Sequence, residues 1–196
     1  MVERNEIKLI AVGGSYGALE AMKEILSNLS KECSIPIAAV FHRNRDSKEE
    51  AMVEYLSKYT TMKVKEISDN EEISSGILYF APGGYHLLLE NRSRFILYLD
   101  EAINYNLPSI DLFFESASDV FGSELLGILL SGANRDGAFG LCHIQKRGGT
   151  TIIQKPSSAL SPTMPESALE ICEPDRIEEP IEIAEIINKF NGDKNR

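Results

Sequence analysis

The stretch Lys8-Leu9-Ile10-Ala11-Val12-Gly13-Gly14-Ser15-Tyr16-Gly17 decides how the chain is read. A short unbroken apolar run bounded by glycines is the pattern of a strand buried on both faces, as in a parallel sheet. The glycines permit a sharp turn. Beyond it, Leu19, Met22, Ile25, Leu26 and Leu29 recur at helical spacing. Strand, turn and helix in succession put Ser15 at the tip of the turn. Two other apolar runs end in a related way. The run over residues 35–41 ends in His42, and the run over 125–130 leads into Ser131-Gly132-Ala133-Asn134-Arg135-Asp136-Gly137. In an open parallel sheet the carboxyl ends of the strands line the ligand crevice. A serine, a histidine and an aspartate far apart in sequence are therefore expected to meet there.

Working outward, strands are expected at 7–12, 36–42, 62–67, 125–131 and 150–154. Helices are expected at 18–29, from a capping box at Ser47-Lys48-Glu49-Glu50 to about 59, and at 110–121, 137–146, 165–171 and 180–190. The middle differs. Runs at 76–80, 86–90 and 94–99, separated by Pro82-Gly83-Gly84 and Asn91-Arg92-Ser93, are spaced like antiparallel hairpins. The expected fold is α/β: a doubly wound, mostly parallel sheet in three Rossmann-like layers, with an antiparallel β-hairpin extension. At 196 residues the chain is expected to form one domain, with its core over about 7–190 and a polar tail at 191–196.

Composition removes several classes of function. A formal net charge of −10 argues against a nucleic-acid groove and against an anionic membrane surface, which both need surplus Lys and Arg. No run of about 18 apolar residues is present, and the start has no signal-peptide core, so no membrane insertion and a cytoplasmic location are expected. Cys33, Cys142 and Cys172 match no metal spacing or disulfide framework, which suits reduced thiols, and no metal or cofactor is expected.

Gly13-x-Ser15-x-Gly17 has the form of a nucleophile elbow, in which glycines lift a serine oxygen clear of the sheet and the following helix aims free amides at the site. The competing reading is a plain glycine turn with an N-capping serine. A dinucleotide fingerprint fails because Val12 stands where its first glycine belongs, and a P-loop fails for want of Gly-Lys-Ser/Thr. The usual α/β-hydrolase order of serine, acid, histidine is not followed either. A serine nucleophile needs a base and a group to orient that base. His42 caps a parallel strand on the same edge as Ser15. His143 lies within a helical pattern and His86 opens a hairpin strand, so both suit structural roles better. Asp136 shares the strand-end crevice, whereas Asp111 sits in a first helical turn where capping suffices.

At this point the ordered segments 10–17, 40–42, 81–87, 108–111, 131–140 and 154–168 resemble the catalytic domain of chemotaxis protein-glutamate methylesterases, the CheB family. The resemblance implies Ser15 as nucleophile, His42 as general base and Asp136 as orienting acid. It implies an oxyanion hole from the amides of Tyr16 and Ala133, with Gly14 and Gly17 grouped with them as oxyanion- or substrate-binding positions. It implies hydrolysis of glutamate methyl esters on chemoreceptor signalling helices, and glutamine deamidation in some members. The chain departs from the family pattern at Tyr16, Ala133, Arg135 and Leu107. The family's usual receiver domain has no room ahead of a strand that starts near residue 7, so three alternatives stay open: unregulated activity, gating by a separate receiver or regulatory protein, or a fragment cut from a longer protein. Two other readings stay open: an inactive CheB-like binding module, and an esterase or amidase for a non-receptor substrate. Finally, Arg43, Arg45 and Arg135 have two readings: a basic rim that draws in an acidic helix, or a solvated charged loop.

Overall fold

A computed structural model gives the fold for residues 6–43, 49–100 and 107–192. In chain order the elements are β1 (Leu9–Gly14), α1 (Ala18–Ser27), β2 (Ile37–Phe41), α2 (Glu49–Ser57), β3 (Lys63–Glu66), β4 (Ile77–Phe80), β5 (His86–Asn91) and β6 (Arg94–Tyr98). They continue with α3 (Ile110–Phe121), β7 (Leu125–Leu129), α4 (Ala138–Lys146), β8 (Thr150–Gln154), α5 (Thr163–Leu169), β9 (Arg176–Glu178) and α6 (Pro180–Gly192).

Seven strands form one parallel sheet in the order β3-β4-β2-β1-β7-β8-β9, and β5 and β6 form a separate antiparallel pair. β1 is central and every one of its residues is buried, which is what its unbroken apolar run demands. The chain steps from β1 to β2 on one side and later to β7 on the other. The strand order reverses there, so the crevice opens outside the carboxyl ends of β1 and β7.

Side chains alternate across the strands and create two cores. Ile10 and Val12 face the layer of α1, α2 and α6, meeting Met22, Ile25, Leu26, Leu56, Ile183 and Ile187. Leu9 and Ala11 face α3, α4 and α5, meeting Phe113, Phe114, Ala117, Leu141 and Met164. The hairpin joins this second layer through Leu87, Leu89 and Phe95. Cutting either fully buried phenylalanine of α3 back to alanine should cost about 3–5 kcal/mol. The three-layer expectation matches this architecture.

Three local expectations do not. β4 is not a hairpin strand; it lies between β3 and β2, parallel to both. Its Leu78, Tyr79 and Phe80 are buried, and a strand covered on both faces belongs inside a parallel sheet. β9 was not anticipated, because Arg176-Ile177-Glu178 is an exposed edge without an apolar run. Asn191, assigned to the tail, lies on α6 and is buried; its side chain accepts from the Ser34 amide and donates to the Glu32 carbonyl. The capping-box residues Ser47 and Lys48 fall outside the described residues.

Candidate active site

The loops after β1, β2 and β7 are stitched together by their backbones. The Ser15 amide donates to the Ser131 carbonyl (2.9 Å), and the His42 amide donates to the Gly14 carbonyl (3.3 Å). Ser131 adds a second tie through its buried hydroxyl, which donates to the Tyr16 carbonyl (2.8 Å) and accepts from the Ser161 amide (2.9 Å). The turn is then shaped by two glycines. Gly17 has φ +85°, and a Cβ there would meet Leu160 Cβ at 2.6 Å; a Cβ on Gly14 would meet that of Ala18 at 2.4 Å. Gly17 is the N-cap of α1, with no side-chain capping bond, so Ser15 does not cap the helix. Among the described residues the Ser15 hydroxyl makes no hydrogen bond, and the amides of Tyr16 and Ala133 make none. The Tyr16 side chain is 64% exposed.

Asp136 is the opposite. Its side chain is 2% exposed, and both oxygens are fully engaged. Oδ2 lies 2.8 Å from His42 Nε2 and accepts from the Ile110 amide (2.8 Å). Oδ1 accepts from the Asp111 amide (3.1 Å), the Gly137 amide (3.1 Å) and the Ser109 hydroxyl (3.2 Å). Ser109 is also the N-cap of α3, accepting from the Leu112 amide. The carboxylate thus sits on the amino end of α3, where free amides and the helix dipole favour an anion. Burial pushes its pKa up, but the hydrogen bond from His42 and the amides of Ile110 and Asp111 win, so it stays ionised below the ordinary aspartate value.

Asp111 answers in kind. Its Oδ1 accepts the Gly140 amide (2.8 Å) in the first turn of α4. Each helix therefore lends its first turn to a carboxylate carried beside the other. Burial raises the Asp111 pKa to about 6; the Gly140 amide opposes this rise and the neighbouring Asp136 charge adds to it.

The structure brings His42 and Asp136 into direct contact and places Ser15 on the adjoining turn. Gly14 and Gly17 shape that turn, and Ala133 lies exposed in the loop after β7. Among the described residues, Arg43 and Arg135 do not build a shared basic rim. Arg43 is only 7% exposed, paired with Glu66 at 2.8 Å and stacked over Phe80; Arg135 is exposed and stacks on Phe139; Arg45 falls outside the described residues.

Sequence reasoning gave His86 and His143 structural roles, which the structure specifies, and overlooked Asn134. His86 is buried and its Nδ1 accepts from the Ser109 amide, so it holds the residue that holds Asp136. His143 pairs with Ser118 as a structural group. Asn134 accepts from the Asp136 amide (3.1 Å), and its side-chain nitrogen lies 3.3 Å from His42 Nδ1. An Asn two residues before an Asp in a glycine-flanked loop is an Asx-turn signal that could have found it. Among the described residues no cluster of His, Cys, Asp and Glu could hold a metal ion, and no helix is long and apolar enough to cross a membrane.

Comparison with known proteins places the chain in a family. The family model described as CheB methylesterase matches residues 10–187. A provisionally named protein-glutamate methylesterase/protein-glutamine glutaminase of Leptospira interrogans is 41% identical over 182 residues, covering 93% of this chain and 94% of its own length. The protein-glutamate methylesterase FrzG of Myxococcus xanthus is 34% identical over 161 residues, covering 82% of this chain but 48% of its own. The chain thus spans nearly all of the first relative and about half of the second. The crystal structure of the Thermotoga maritima CheB methylesterase catalytic domain superposes with a TM-score of 0.88 at 27% identity, covering 95% of this chain and all of that one. On the family model, the relatives and the fold, the chain belongs to the CheB methylesterase family.

Proposed function

We propose that residues 1–196 act as one catalytic domain, a cytoplasmic serine hydrolase that removes methyl groups from glutamate methyl esters on chemoreceptor signalling helices. Ser15 is the nucleophile, His42 the general base and Asp136 the acid that orients it. The observation that carries this reading is the 2.8 Å contact between His42 Nε2 and the buried Asp136 carboxylate, beside the Ser15 turn. Because Asp136 is ionised, it takes the Nε2 proton as a hydrogen-bond acceptor, and the lone pair of the neutral ring lies on Nδ1.

Ser15 Oγ attacks the ester carbonyl carbon and its proton passes to His42 Nδ1. The imidazolium so formed is stabilised by Asp136, whose charge α3 already holds in place. The oxyanion is met by the amides of Tyr16 and Ala133; one such donor is worth about 10²–10³ in rate. The carbon–oxygen bond then breaks and methanol leaves with the Nδ1 proton, giving an acyl-enzyme on Ser15. A water attacks that ester, His42 takes its proton and returns it to Ser15 Oγ, and the glutamate side chain is released. A glutamine amide enters the same cycle with ammonia as the leaving group, and the paired names of the relatives support this as a second activity.

Methyl-esterified receptor fragments, followed by mass spectrometry of their glutamates, test the reading. The wild-type chain should demethylate them, and S15A should lower turnover by about 10⁴-fold or more. Unchanged turnover in S15A overturns the assignment of Ser15. Binding of methylated receptor helices without turnover leaves a binding module instead. Cleavage of other esters, with receptor esters untouched, leaves an esterase of different substrate.

A further inference from the structure

Two of the contacts of Asn134 together fix its orientation. Its Oδ1 accepts from the Asp136 amide, which has only a proton to offer, so the NH₂ end is the one that faces His42 Nδ1 at 3.3 Å. On the other side of the ring, Nε2 faces the ionised Asp136 and must be the protonated nitrogen. Asn134 therefore donates to the Nδ1 lone pair.

A neutral imidazole has a single in-plane lone pair. The mechanism proposed above, on which this inference rests, needs that lone pair for the Ser15 proton. Yet the Ser15 hydroxyl makes no hydrogen bond among the described residues, while Asn134 occupies the nitrogen. We propose that Asn134 is a placeholder for Ser15: it covers the base nitrogen of His42 in the free enzyme and must withdraw before Ser15 can be deprotonated. At 3.3 Å the contact is at the long end for an N–H donor, and exchanging one neutral donor for another changes the free energy little. Release is therefore easy once a substrate draws the serine hydroxyl toward the imidazole. Until then the serine is not activated.

A small fluorophosphonate tests this without any receptor, because it reports the nucleophilicity of Ser15 alone. The full chain, N134A and S15A are labelled under identical conditions, with thermal melts alongside. N134A should label about 3- to 10-fold faster than wild type, the gain from removing one neutral competitor, and S15A should not label. Should N134A fail to fold, N134S carries the same expectation: it keeps an oxygen near the Asp136 amide and is too short to reach Nδ1. Imidazole ¹⁵N spectra give a second readout, because the Nδ1 resonance of His42 should shift in either variant while the Nε2 resonance holds. Equal or slower labelling in a folded variant, with wild type still labelling at Ser15, overturns the placeholder and leaves the triad standing. Absence of Ser15-dependent labelling in wild type and variants alike overturns the triad, and the placeholder with it.

Discussion

The two ends of the crevice are built on opposite plans. At the acid end, five donors close on one buried carboxylate: His42, two amides of α3, Gly137 and Ser109. At the other end, that of the proposed nucleophile, Ser15 projects from a glycine turn beside an exposed tyrosine, and its hydroxyl is unengaged among the described residues. The difference suits what the proposed mechanism asks of each group. A charge that must be present throughout is best held by fixed dipoles in a dry site, where reorganisation costs nothing at the moment of reaction. A group that must form and break a bond needs room to move. Changes at the acid end should therefore damage activity and stability together, and changes at the nucleophile end mainly activity.

The largest expected effect is D136N. An asparagine cannot accept from five donors, and its NH₂ would face amide protons. Ester turnover should fall about 10³–10⁴-fold, and denaturant titration should show a loss of about 3 kcal/mol. A D136N protein as stable as wild type would break the contrast. Next comes G17A, which forces a side chain into a left-handed conformation against Leu160. We expect about a 10²-fold drop in turnover from a displaced serine and about 1–3 kcal/mol of strain. If the stability loss exceeds that of D136N, the nucleophile end is the more rigid of the two.

The two aspartates should also respond to pH with opposite signs. Asp136 has a lowered pKa, so the stability it contributes is present above the ordinary aspartate range and is lost as pH falls through its folded value. Asp111 has a pKa raised to about 6, so the folded state binds the proton more tightly, and stability falls as pH rises from about 4 through 6. D111N still offers an oxygen to the Gly140 amide and carries no charge. It should be about 1–3 kcal/mol more stable than wild type at pH 8, with the advantage gone near pH 4. Chemical denaturation at the two pH values checks this; equal stability at pH 8 would show that the second carboxylate is held without strain. S109A removes one of the five donors and the cap of α3, for about 1 kcal/mol. Smallest of all, Y16A should leave stability within about 0.5 kcal/mol, since the ring is mostly in solvent.

The same division runs through what the sequence discloses. That Ser15, His42 and Asp136 share one sheet edge was readable because each follows an apolar run, and parallel strands end on one edge. The cluster around Asp136 was not, because three of its five donors are backbone amides of Ile110, Asp111 and Gly137, and an amide leaves no mark in residue type. β4 was misplaced because the short gap to β5 suggests a hairpin, whereas strand partners depend on the whole sheet. Arg43 looked like free positive charge because Glu66, which neutralises it, lies 23 residues away in the chain. Asn134 was passed over as a loop residue, although its spacing from Asp136 held the clue.

The seat of Asp136 on α3 has a consequence for how this region tolerates change. Much of the grip comes from the position of a helix start and not from the identity of its first residues. Substitutions at 110 and 111 that keep the helix beginning after Ser109 leave those amides pointing where they do. Inserting or deleting a single residue there would turn the first helical turn by about 100° and swing its amides off the carboxylate. The segment can thus drift in spelling over generations, but its length before the helix is not negotiable.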